Sequence, residues 1–102
     1  MSKTALIVKI TAASGKRDEV AQALDPLFEE VKTEDGTEIY ILHDDATNPD
    51  VLWVYERYRD ADALQVHSSS QAMASLMGAF GGDLMGAPPE MFFVTPRRSK
   101  DD

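Results

Sequence analysis

Two hydrophobic rhythms alternate along this chain, and their order restricts the fold more than any single motif does. Residues 5–10 form a short aliphatic run broken only by Lys9, with Leu6, Val8 and Ile10 on one face, which predicts a strand. Ser14 then offers a helix N-cap, Asp18 and Glu19 complement the helix dipole, and Val20, Leu24, Leu27, Phe28 and Val31 recur at helical spacing. Pro26 falls inside that stripe and costs about 3 kcal/mol by propensity. The stripe runs through it unshifted, which predicts one kinked helix in preference to two pieces.

Glu34-Asp35-Gly36 punctuates the chain before a second strand from Thr37 to His43, with Ile39, Ile41 and His43 facing opposite to Tyr40 and Leu42. A polar turn from Asp44 to Asp50 joins it to a third strand, Val51 to Tyr58, as a hairpin. Asp60 caps a helix carrying Ala63, Leu64 and His67, Ser68-Ser69-Ser70 interrupts it, and a further stripe follows in Met73, Leu76, Met77, Phe80 and Leu84. Gly81-Gly82 loosens that helix, Pro88-Pro89 opens a last strand from Glu90 to Thr95, and Pro96 leads into a charged tail expected to be mobile. The order β-α-β-β-α-β predicts an α+β fold of the ferredoxin-like kind, one antiparallel sheet with helices on one face.

No linker or low-complexity segment divides the 102 residues, so residues 1–102 read as a single domain with its core at 4–96 and a tail at 97–102. A chain of this size hides roughly two-thirds of its unfolded surface. The sheet face away from the helices would expose Val, Ile, Tyr or Trp side chains, an area large enough to predict burial against a twin sheet in a homodimer.

A net charge of −8 opposes binding to phosphate backbones, so nucleic acid is not an expected partner. The absence of cysteine removes disulfides, thiolate nucleophiles and zinc-thiolate or iron–sulfur sites. The N-terminal apolar run is five or six residues long, short of a signal-peptide core and of a membrane span, which predicts a cytoplasmic protein without membrane attachment. No phosphate-binding loop, dinucleotide fingerprint or nucleophile elbow is present. His43 and His67 lie on different elements and lack metal-site spacing, and Asp44, Asp45 and Asp50 read as a solvated hairpin tip, so no metal site is expected.

Five stretches, in order, resemble the antibiotic biosynthesis monooxygenase domain family over about residues 4–96: the first strand with Ser14-Gly15-Lys16, Leu24-Asp25-Pro26-Leu27, Glu34-Asp35-Gly36-Thr37-Glu38-Ile39-Tyr40, Trp53-Val54-Tyr55-Glu56-Arg57-Tyr58, and Ala63-Leu64 with His67 and Ser70. The resemblance implies a dimeric α+β barrel of two sheets packed face to face. It also implies a choice among cofactor-free oxygenases of phenols and quinols, haem degraders and an isomerase of a signalling sugar. The family's haem degraders rely on Asn, Trp and His where this chain has Val8, His67 and Met77, which argues against haem degradation.

A cavity between helices and sheet is the expected small-molecule location. Its lining from the second helical region is expected to be His67, Met73, Met77 and Phe80, and from the third strand Trp53 and Tyr55. An oxygenase without flavin or haem needs a base to form an electron-rich phenolate, a dry cavity, and hydrogen bonds to the anion. A histidine accepts a proton near neutral pH, so His67 is the candidate base, with the Trp53 N–H and Tyr55 O–H as donors to the substrate. The leading expectation is a cofactor-independent monooxygenase using O2 on a small aromatic phenol or hydroquinone.

Packing explanations compete residue by residue. His67 can bond a backbone carbonyl, Trp53 and Tyr55 can pack in the core or between subunits, and the Met and Phe stripe can be core. Glu56, on one face with Val54 and Tyr58, is expected to pair with Arg57 or with Arg97 of a second subunit. A non-catalytic binding or stress-related barrel, and an isomerase using His67 as proton shuttle, remain the alternatives.

Overall fold

The computed structural model describes residues 3–101. Met1 and Ser2, which begin the N-terminal lead, and Asp102, which ends the tail, lie outside the described residues. The elements run β1 (Thr4–Thr11), α1 (Arg17–Ala23), α2 (Asp25–Val31), β2 (Thr37–Asp44), β3 (Val51–Tyr58), α3 (Ala61–Ser68), α4 (Gln71–Phe80) and β4 (Glu90–Val94). The strands form one sheet in the order β2-β3-β1-β4, with every pair antiparallel. This is the ferredoxin-like α+β arrangement that the order of periodicities predicts.

Cross-strand register sorts the side chains into two faces. Val8 stands opposite Val54 and Met91, Leu6 opposite Glu56 and Phe93, and Tyr40 opposite Glu56. Leu6, Val8, Ile10, Leu52 and Val54 pack with Val20, Leu24, Leu27 and Leu76 of the helical segments to form the core. By the two-residue period of a strand, Ile7, Ile39, Ile41, Trp53, Tyr55, Phe92 and Val94 occupy the other face. Ile41 and Phe92 are both 46% exposed there.

Three local expectations are corrected. The predicted kinked helix is two helices meeting at Leu24, because Pro26 sits in the first turn of α2, where its missing N–H costs no helical bond. Ser14 is not the N-cap of α1; Lys16 is, without a side-chain bond, while Gly15 turns the chain at φ +77°. Leu84 lies beyond α4, where its carbonyl accepts from the Ala13 N–H at 2.7 Å and ties this segment to the end of β1.

Asp60 caps α3 as predicted, its carboxylate accepting from the Ala63 N–H at 2.9 Å, and Ser70 caps α4 by accepting from the Met73 N–H at 3.1 Å. These two caps divide the second helical region at the serine triplet. In the charged tail, the Asp101 carboxylate pairs with the Arg57 guanidinium at 3.0 Å, so this end of the chain is tied to the sheet instead of free. No helix among the described residues is long and apolar enough to cross a membrane.

Candidate functional site

His67 lies seven positions after the Asp60 cap, about two turns along α3, and Ala63 and His67 share one buried stripe. Ala63 lies directly against Gly36, where any Cβ would collide with the alanine methyl. The glycine therefore lets α3 close onto the turn that precedes β2, and that turn carries Glu34. His67, 1% exposed, brings Nδ1 to 3.0 Å from Glu34 Oε1. The Thr37 hydroxyl donates to the same carboxylate oxygen at 2.8 Å.

A carboxylate accepts only, so in the neutral imidazole this contact puts the proton on Nδ1 and the lone pair on Nε2. Nε2 has no hydrogen-bond partner although it is buried. The rings of Tyr40 and Tyr58 flank the imidazole, with centroids 5.1 and 5.4 Å from it.

Glu56 completes the cluster. It is 3% exposed, its Oε1 lies 3.9 Å from His67 Nε2, and the Tyr58 hydroxyl donates to that oxygen at 2.5 Å. Burial pushes the Glu56 carboxyl up to about 7, the Tyr58 bond opposing the rise and the nearby Glu34 adding to it. The Tyr40 and Tyr58 hydroxyls are both raised far above the ordinary tyrosine range, chiefly by burial and then by the charge of Glu56. Both phenols therefore stay protonated.

A cavity of about 340 Å³ opens beside this cluster, between the helix-side face of the sheet and α3–α4. His67, Met73, Met77 and Phe80 line it as the helical spacing predicts, together with Tyr40, Glu56, Met91 and Phe93. Among the described residues, no Lys or Arg borders it. Its polar groups gather around His67, and Met91 and Phe93, 50% and 66% exposed, lie at its open side.

Trp53 and Tyr55 are not brought to this cavity. Val54 and Glu56 point toward the helices, so alternation along β3 sends 53 and 55 to the opposite face. The Trp53 indole N–H donates instead to Asp45 at 2.8 Å. That carboxylate also accepts from the Asn48 and Thr47 amides at 2.8 and 3.0 Å, and these bonds, led by Trp53, hold it well below the usual carboxylate range. The hairpin acid thus serves its own turn.

Of the two arginines expected to pair with Glu56, Arg57 does not. Arg57, its neighbour in sequence, projects from the other face to Glu38 and Asp101, both at 3.0 Å, and Glu56 is held by Tyr58. Sequence reasoning missed Glu34 and Tyr40 as site residues. Glu34 looked like turn punctuation, and nothing local says that it faces inward. The signal for Glu56 was present, an acid at the centre of the Val54, Glu56, Tyr58 face.

The antibiotic biosynthesis monooxygenase family model matches residues 4–78. No curated protein matches the chain by sequence. Among solved structures, Rv0793 from Mycobacterium tuberculosis is 25% identical, with a TM-score of 0.88 over 97% of this chain and 99% of that one. PA3566 from Pseudomonas aeruginosa is 22% identical, with a TM-score of 0.86 over 96% and 97% of the two chains. A Caulobacter crescentus protein, named as a candidate antibiotic biosynthesis monooxygenase, is 22% identical with a TM-score of 0.87 over 95% and 92%.

Proposed function

Because the chain belongs to the antibiotic biosynthesis monooxygenase family, we propose that it is a cytoplasmic, cofactor-independent monooxygenase that oxidises a small aromatic phenol or hydroquinone with O2. One observation carries this reading: an apolar cavity ends at a histidine whose Nδ1 is held by a carboxylate and whose Nε2 has no partner. A phenolic hydroxyl placed there would give its proton to Nε2, and its electron pair would remain on the ring system. The anion reduces O2 directly; one oxygen atom enters the ring, the other leaves as water, and a phenol plus O2 becomes a quinone plus water. Glu34 positions the imidazole and stabilises the imidazolium that forms. The apolar walls exclude the water that would otherwise solvate the anion.

The test is oxygen uptake by purified protein across a set of hydroquinones and polycyclic phenols. The reading expects stoichiometric oxygen loss with quinone formation, and no uptake across the set would sink it. The proximity of Glu56 to His67 Nε2, 3.9 Å, also suits an isomerase that moves a proton between two substrate atoms. Product formation without oxygen loss would favour that alternative.

The second part of the proposal is a homodimer through the open face of the sheet. Ile41, Phe92 and Val94 are exposed there beside Ile7, Trp53 and Tyr55, and no helix packs over them. A stable interface buries about 800 Å² per partner, a size that a four-stranded face can supply. Sedimentation should give twice the 11.3 kDa chain mass at micromolar concentration. A species at the single-chain mass would exclude the dimer.

A further inference from the structure

We infer that Glu56 is a second catalytic residue, whose carboxylic acid donates a hydrogen bond to the same substrate oxygen from which His67 removes the proton. This rests on the phenol reading above and replaces Trp53 and Tyr55, which lie on the other face, as the source of that donor. The placement carries it. Glu56 lines the cavity, and its Oε1 lies 3.9 Å from the unpartnered His67 Nε2, which leaves the other oxygen of the same carboxyl within the span that one substrate hydroxyl bridges to that nitrogen.

Tyr58 fixes the orientation through the oxygen nearest His67. Tyr58 donates to Oε1, which assigns the acid proton to the other carboxyl oxygen. The ionisable groups packed around Glu56 are Tyr40 from β2, Tyr58 from β3, His67 from α3 and Glu34 from the turn before β2; α4 contributes only apolar side chains to the lining, and β1 places Leu6 opposite. Among the described residues no Lys or Arg lines the cavity to hold Glu56 ionised, and burial raises its carboxyl to about 7, so it is mostly protonated in the weakly acidic range below that.

As His67 takes the proton, charge collects on the substrate oxygen, and the Glu56 O–H bond to it strengthens without the acid giving up its own proton. A donor that improves as charge develops lowers the barrier rather than merely holding the ground state. An ionised Glu56 would instead repel the phenolate. The pair therefore suits an uncharged aryl hydroxyl and disfavours a substrate that arrives as an anion.

Two readouts test this, one of them independent of turnover. Difference infrared spectra at pH 6 should show the protonated-carboxyl stretch of Glu56, absent in Glu56→Gln, and saturating 1-naphthol should shift it to lower frequency. In oxygen uptake, Glu56→Leu should lower kcat about 10²- to 10³-fold with little change in KM, the loss typical of one missing oxyanion donor. Glu56→Gln, whose amide still donates, should retain the rate to within about tenfold and carry it above pH 7, where wild-type activity declines. The inference is overturned if 1-naphthol fails to bind or leaves the band unmoved, or if Glu56→Leu turns over like the parent. A shifted band in a protein that consumes no oxygen would uphold the hydrogen bond and defeat only the oxygenase reading.

Discussion

Replacing His67 with Ala is expected to lower kcat 10²- to 10⁴-fold, about 3–5 kcal/mol of barrier, because that is the usual contribution of a positioned general base. The change also strips Glu34 of its imidazole partner, leaving a carboxylate with Thr37 alone. A buried group that loses a partner costs about 1–3 kcal/mol of stability. Rate and stability therefore both move, and the rate must be measured on the folded fraction. Glu34→Gln supplies the control: the amide can still bond the ring but holds no charge against the imidazolium, so its kcat should fall between wild type and His67→Ala. A His67→Ala protein that melts lower yet turns over at the parent rate would reduce the residue to a packing role.

Glu56 should make the protein less stable as pH rises through the weakly acidic range. Its carboxyl loses its proton near 4.5 when the chain is unfolded and near 7 when folded. Between those values the folded state binds more protons than the unfolded one, so unfolding becomes easier as pH increases. The full contribution is about 3 kcal/mol, lost between pH 4.5 and 7 and constant above. Glu56→Gln keeps an acceptor for Tyr58 and has nothing to ionise, so its stability should decline less over that window by about this amount. Asp45, Asp60 and Glu38, whose pKa values are lowered, act in the opposite sense and at more acid pH, and they are common to both proteins. Urea denaturation at pH 4.5, 6 and 8 measures the difference, and parallel curves would show that Glu56 is not held protonated by the fold.

The architecture was legible because each element advertises itself locally. Strand runs in Leu6-Ile7-Val8 and Val51–Tyr58, the Asp60 cap and the break at the serine triplet all follow from propensity and period, and the structure reproduces them. Pro26 misled because its cost depends on position: it is large within a helix and absent in a first turn, and only the start of α2 at Asp25 decides between them. Met73, Met77 and Phe80 were legible as cavity lining because a helix stripe has one buried side. Trp53 and Tyr55 were not, because both faces of β3 are apolar and alternation says which residues share a face without saying which face the helices cover.

By itself the sequence determined the order of strands and helices, the candidacy of His67, and the oddity of an acid at position 56. These are statements about neighbours a few residues apart, where backbone geometry is the only variable. What only the tertiary structure decided is the company those residues keep. Glu34 and His67 are 33 positions apart and meet because Gly36 lets α3 settle on the turn before β2. Glu56 faces His67 instead of Arg57 because the helices cover the Val54 face of β3. A proton-handling cluster depends on burial and on ångström-scale distances between distant segments, and both arise only when the sheet and helices close on one another.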